Sequence, residues 1–294
     1  MPVRFSDISN LTSPKAVVRV LEVLFGCAAF SLAASSGAAR SSAFAAFAMF
    51  TWCFSFAATL VTFLVEFTQF HSLLPFSWKN LPVTLAAFAA LMNLAASVTY
   101  PLMVMTVGCP RPWGRPPCSY QTAATICSCL AFLAYSAEVY IVKAEPADRG
   151  GYMATGPGLL KVLEVFVACV LFVSLATGAI PDSLGFRLCV AALCACAFMS
   201  LVVIVMMVGE CRGRCPVPLA RLLVAFNTLA VLMYAAVLVN WALHLSRQSD
   251  IVTGCPQMDC PKNQMVMSAF LTGVNLLAYV ADLIYSIKLT CPRN

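Results

Sequence analysis

Eight ionisable residues within or just beyond the apolar stretches of this 294-residue chain form a repeated pattern, and any chemistry would have to be built on them. Glu22, Glu66 and Glu138 recur later as Glu164, Glu210 and Asp282, and Arg19 recurs as Lys161. A charge inside a bilayer costs about 3 kcal/mol or more on a lone helix, so each marks either a working site or a structural contact. Arg19 and Glu22 are three residues apart on one helical face, as are Lys161 and Glu164, so each pair can form locally. All six acids lie near the same end of their apolar stretches. Beyond that layer the polar residues thin to Asn93, Asn227, Asn240 and Asn275 with some Ser and Thr. A proton or ion path needs polar groups handed across the full thickness, so the expectation is polar glue between helices rather than a transport site.

The remaining chemistry-bearing types point the same way. The two histidines, His71 and His244, are expected on opposite membrane faces, which excludes a two-histidine metal site within one chain. No HExxH, Walker A, GxGxxG after a strand, or GxSxG pattern occurs. No enzyme activity, catalytic residue, cofactor or metal is therefore expected.

These residues are carried by elements that composition identifies. The chain is 61% hydrophobic and 10% charged, where a soluble domain carries about a quarter charged residues. A water-soluble globule is excluded. Eight apolar runs are each long enough to cross a bilayer as a helix: Ala16 to Ser36, Phe44 to Phe67, Leu81 to Val107, Thr122 to Val142, Leu159 to Ile180, Phe186 to Val208, Leu219 to Leu243 and Val266 to Leu289. The alternation of a transmembrane barrel is absent, which leaves helices as the way to satisfy the backbone in lipid. The first run is longer than a signal-peptide core and reads as a mature helix.

Orientation follows from the basic residues. Twelve of the 18 Lys and Arg fall on the segments that include both termini and the even-numbered loops, so both termini are expected in the cytosol. The net charge of +6 then faces anionic headgroups rather than nucleic acid. The sequon Asn10-Leu11-Thr12 should be unused on that side. Cys109 and Cys118 fall in the third loop and Cys255 and Cys260 in the seventh, both expected outside, where two disulfides suit short Pro-rich loops, with free thiols as the competing reading. Cys211, Cys215 and Cys291 lie beside basic residues on the cytosolic side and are candidates for S-acylation, with unmodified thiols as the competing reading. Leu283, Tyr285 and Lys288 match a sterol-contact spacing that an ordinary aromatic-plus-basic anchor also satisfies.

The chain repeats itself. Arg19-Val20-Leu21-Glu22-Val23 returns as Lys161-Val162-Leu163-Glu164-Val165, and Leu133-Ala134-Tyr135 with Glu138 returns as Leu277-Ala278-Tyr279 with Asp282. The expected architecture is all-α: two parallel four-helix bundles, residues 1–150 and 151–294, each entering and leaving on one side.

Several long strings carry a resemblance. Gly151-Tyr152-Met153-Ala154-Thr155 followed by Pro157-Gly158-Leu159-Leu160-Lys161-Val162-Leu163-Glu164, Phe50-Thr51-Trp52-Cys53-Phe54, Ser77-Trp78-Lys79-Asn80, and Asn275-Leu276-Leu277-Ala278-Tyr279-Val280-Ala281-Asp282-Leu283 resemble the myeloid-associated differentiation marker family. The resemblance implies two MARVEL domains. It further implies a non-enzymatic membrane-organising role in cholesterol-rich, raft-like plasma membrane, with links to vesicle traffic, cell spreading or junctions. Its implied partners are membrane lipids including cholesterol, other membrane or cortical proteins, and further copies of itself. An eight-helix transporter or channel is the competing function.

Overall fold

The computed structural model describes residues 13–37, 43–68, 78–105, 116–145, 151–177, 183–209, 219–248 and 261–290. They form α1 (Pro14–Ser35), α2 (Ala43–Phe67), α3 (Leu81–Tyr100), α4 (Pro116–Ala144), α5 (Gly156–Thr177), α6 (Leu184–Val208), α7 (Leu219–Gln248) and α8 (Pro261–Thr290). All eight are long and apolar enough to cross a membrane, and no strand occurs among the described residues.

Helix starts are set by chemistry that apolar runs do not report. Pro14 opens α1 behind Ser13, whose hydroxyl accepts the Ala16 N–H at 3.2 Å, and Ser183 caps α6 through Phe186 N at 3.3 Å. α4 begins at Pro116 rather than Thr122, and α8 at Pro261 rather than Val266. Proline tolerates the first helical turn because its missing N–H would be unpaired there anyway, so both helices extend past their apolar cores. α3 ends at Tyr100, and Pro101–Met105 continues as a π-turn; Pro101 lacks the N–H that the regular ladder needs.

The chain divides into two compact units, Met1–Thr155 and Gly156–Asn294. In the first, α1 packs on α2, α2 on α3, α3 on α4, and α4 returns to α1, closing a ring. In the second, α5 to α8 close the same ring. The first unit packs on small residues. Ala29, Ala33, Ala45, Ala48, Ala96 and Ala124 are buried around Trp52, whose ring meets Tyr100 edge-on at 5.2 Å. Small side chains let helices approach closely, which is how packing holds helices where lipid is as apolar as the core. The second unit packs on larger side chains, with Leu171, Phe226, Tyr234 and Tyr279 around Trp241, which meets Phe186 edge-on at 5.0 Å.

After α4 a 3-10 turn, Tyr152–Ala154, is clamped to the start of α3. Asn80 Oδ1 accepts the Met153 N–H at 3.1 Å, and Met153 and Ala154 are buried. Gly151 is required for close approach, since a Cβ there would lie 2.1 Å from Asn80 Oδ1 and 3.0 Å from the Lys79 carbonyl.

Candidate functional site

The buried charges gather into one cluster per unit. In the first, Arg19 is 2% exposed and its Nε donates to Glu138 Oε1 at 2.6 Å, while Nη1 donates to Glu66 Oε2. Glu66 sits at the rim, where it also meets Lys15 at 3.5 Å and accepts from Trp78 Nε1 at 3.1 Å. The planar guanidinium reaches two carboxylates on two helices at once, which joins α1 to α2 and to α4. Arg19 thus pairs across the bundle and not with Glu22, as the three-residue spacing had suggested. Glu22 is fully buried and turns instead toward Thr59 and Glu138.

In the second unit the local pair does form. Lys161 Nζ lies 2.8 Å from Glu164 Oε2, 2.8 Å from Asn227 Oδ1 and 2.9 Å from Asp282 Oδ2, so its three N–H groups meet three acceptors. The ammonium also sits 4.7 Å from the Phe226 ring centre and 5.2 Å from that of Tyr279. Asn227 Nδ2 closes the arrangement by donating to Asp282 at 2.8 Å and Ser286 at 3.2 Å. Asn227 belongs to this charged layer, not to the sparse polar groups beyond it. Glu210 lies outside the described residues.

A second motif is shared by both units. Thr59 Oγ1 bridges Glu22 Oε2 at 3.3 Å and Tyr135 OH at 2.7 Å; Ser200 Oγ bridges Glu164 Oε2 at 2.8 Å and Tyr279 OH at 2.9 Å. A carboxyl on the first helix, a hydroxyl on the second and a phenol on the fourth therefore recur as a triad. The tyrosines stand in matching strings of the duplication. The hydroxyls do not, because Thr59 and Ser200 are offset from the register that relates Glu66 to Glu210, and pattern matching misses them.

Deeper in the first unit the polar residues are not scattered. Tyr135 OH donates to the Ser55 carbonyl, Asn93 Nδ2 to Ser55 Oγ, Ser97 to Ser128, and Trp52 Nε1 to Ser128, all at 2.9–3.1 Å. These groups tie α2, α3 and α4 together, but a side-chain amide and a main-chain carbonyl interrupt the series, and neither relays a proton readily. In the second unit Asn275 Nδ2 donates to Tyr234 OH at 2.8 Å, and Asn240 Nδ2 to Cys189 Sγ at 3.3 Å. A small cavity beside Arg19 and Glu138, edged by Thr59, Thr62, Pro82 and Ala86, has room for about one water.

Cys118 is disulfide-bonded and lies on the first turn of α4 rather than in a loop. Its expected partner Cys109, the pair Cys255 and Cys260, the S-acylation candidates Cys211, Cys215 and Cys291, the Asn10 sequon and His71 lie outside the described residues. Eight cysteines within the helices, Cys196 among them, are free thiols. Leu283, Tyr285 and Lys288 lie on α8, with Tyr285 and Lys288 exposed and Leu283 half-buried. Among the described residues no group of three His, Cys, Asp or Glu could hold a metal ion.

Eight apolar helices, with six charged side chains buried among them, define a multi-pass membrane protein, and residues 10–141 match the membrane-associating domain family MARVEL. The chain is 41% identical over 295 residues to the myeloid-associated differentiation marker homolog of Xenopus laevis, covering 96% of this chain and 95% of that one. It is 38% identical over 291 residues to the myeloid-associated differentiation marker of Homo sapiens, with coverage of 95% and 89%. Identity to the marker-like protein 2 of Bos taurus is 36% over 292 residues, with coverage of 96% and 94%. The chain belongs to the myeloid-associated differentiation marker family, a membrane-associating family and not a known enzyme family. No solved structure matches it.

Proposed function

We propose that this chain is a non-enzymatic membrane organiser built from two MARVEL domains, with both termini cytosolic, acting in cholesterol-rich plasma membrane and in the vesicles that supply it. One observation carries the reading: the buried polar side chains bond largely to one another inside each unit. The outward surfaces are left to large apolar residues such as Leu277 and Phe270, 70% and 63% exposed. Such a molecule offers lipids and neighbouring proteins a wide apolar wall. The exposed Tyr285 and Lys288 on α8 suit an interfacial anchor and, with Leu283, a sterol contact. Homo-oligomers and cortical or membrane proteins are the expected company. S-acylation at Cys211, Cys215 or Cys291 would add affinity for ordered lipid.

Cross-linking mass spectrometry on intact plasma membranes, with bound lipid retained, tests the proposal. Sterol together with membrane-traffic or junctional proteins is the expected result. Flux assays in reconstituted vesicles probe the competing function, and a substrate-dependent, saturable current would overturn the proposal in favour of a transporter. Tags at both ends should become accessible only after permeabilisation, and a glycan on Asn10 would invert the topology.

A further inference from the structure

The two clusters differ in how far they satisfy their cations. An ammonium carries three N–H groups, and those of Lys161 meet Glu164, Asn227 and Asp282. A guanidinium carries five, on three nitrogens. In Arg19 the Nε and Nη1 atoms bond to Glu138 and Glu66, while Nη2 is buried and has no hydrogen-bond partner among the described residues. A buried donor without an acceptor forfeits the hydration it had in water, and folded proteins nearly always supply it with a partner.

The shortfall arises where the third helix of each ring differs. In the second unit α7 gives the cation Asn227. In the first, α3 presents Pro82, Leu85, Ala86 and Ala89, and the small cavity beside Arg19 lies against them. Thr62 on α2 and Glu138 on α4 form other walls, so every helix of the ring contributes to the lining. Arg19, Thr62, Ala86 and Glu138 are each more than nine-tenths buried.

The lining selects its occupant. Thr62 donates its hydroxyl proton to the Ala58 carbonyl at 2.8 Å, which leaves its oxygen able to accept. The Glu138 carboxylate has acceptor positions beyond the one that Arg19 Nε uses. An anion here would oppose Glu138, and a metal cation would oppose the guanidinium. The room is that of about one water, too little for an organic ligand.

We propose that this cavity is a binding site for one structural water, which accepts from Arg19 Nη2 and donates to Thr62 Oγ1 and the Glu138 carboxylate. The water stands in for the amide oxygen that Asn227 supplies in the second unit. About three bonds is the usual number for a buried water, and these three join α1, α2 and α4. The inference rests on the cluster and holds whether or not the membrane-organising reading does.

Two experiments test it. A crystal structure of the full-length protein grown from a lipidic mesophase, at a resolution that shows ordered water, should hold a single water about 2.7–3.2 Å from Arg19 Nη2. An empty cavity there, or a lipid or protein group against Nη2, overturns the proposal. The second experiment is thermal unfolding of Ala86→Val and Ala86→Thr in lipid nanodiscs. The two new side chains share one shape, so crowding acts on both alike, and they differ by a hydroxyl. Valine should displace the water, strand Nη2 and lower the midpoint by several degrees from the wild type. Threonine brings an oxygen in its place and should keep a higher midpoint than valine. A valine variant at or above the wild type, as when a dry void is filled, overturns the proposal, and so does one at or above the threonine variant. If neither variant folds, the crystal structure decides.

Discussion

Replacing Lys161 by Met keeps a side chain of similar length while deleting the charge and three N–H donors. The structure gives those donors partners at 2.8, 2.8 and 2.9 Å on α5, α7 and α8, so the change severs contacts to two other helices at once. Breaking a buried ion pair from one side costs about 3–5 kcal/mol, most of it from stranding the partner charge. The cation held over the Phe226 ring adds about 1–2 kcal/mol where water is excluded. The expected loss is therefore about 4–7 kcal/mol, a folding constant lower by a factor of at least several hundred. Reversible unfolding of the full-length protein in mixed micelles, followed by tryptophan fluorescence, measures it. Two controls locate the cause. Lys161→Met with Asp282→Leu should recover part of the loss, because no acid is stranded opposite the missing base. Lys15→Met removes a half-exposed rim contact at 3.5 Å and should cost no more than about 1 kcal/mol. If Lys161→Met costs as little as Lys15→Met, or the double variant is no better than the single, the clusters do not hold the bundle together and the reasoning fails.

Other outcomes follow from single contacts. Ser200→Ala removes a hydroxyl bonded at 2.8 Å to Glu164 and at 2.9 Å to Tyr279, and should cost about 1–3 kcal/mol; Thr59→Val, with its longer 3.3 Å contact to Glu22, should cost less in the same unfolding assay. Gly151→Ala drives a methyl into Asn80 and breaks the Met153 N–H bond, lowering the thermal midpoint and speeding proteolysis at the 3-10 turn; an unchanged digestion pattern would count against the clamp. Gly26→Leu should separate α1 from α2, since even a Cβ there lies 3.4 Å from Phe56 Cβ, at a cost of about 1–3 kcal/mol measured as reduced monodisperse yield. Cys118 should resist maleimide labelling in the folded, unreduced protein and become reactive only after reduction; labelling without reductant would contradict its bonded state.

How far the sequence discloses this molecule depends on the physics behind each feature. Membrane-crossing helices are legible because lipid demands some twenty consecutive apolar residues, and little else in a chain mimics that. Their ends are less so, since Pro116 and Pro261 read as loop residues yet open helices. The charged layer is visible from Arg19, Glu22 and their counterparts, because charge within an apolar run stands out. Partner choice is hidden, because it depends on rotation and depth of whole helices. Identical three-residue spacing yields a local pair at Lys161 and a cross-bundle fork at Arg19, whose longer, planar side chain reaches Glu66 and Glu138. Asn93 and Asn227 look equally isolated in one dimension. Packing assigns one to the mid-bundle hydrogen bonds and the other to the Lys161 cluster.

The closure of each ring has a bearing on how the chain is made. Glu138 comes 119 residues after Arg19, so the ribosome releases α1 long before its final counter-ion exists. Glu66 arrives 47 residues on, and in the second half Glu164 stands only three residues from Lys161. Each nascent half thus has one counter-ion available early, which it keeps, and a second that arrives only with its last helix. A chain truncated after α3 or α7 would keep Arg19 with Glu66, or Lys161 with Glu164 and Asn227, but would lack the acid on the last helix that closes each ring.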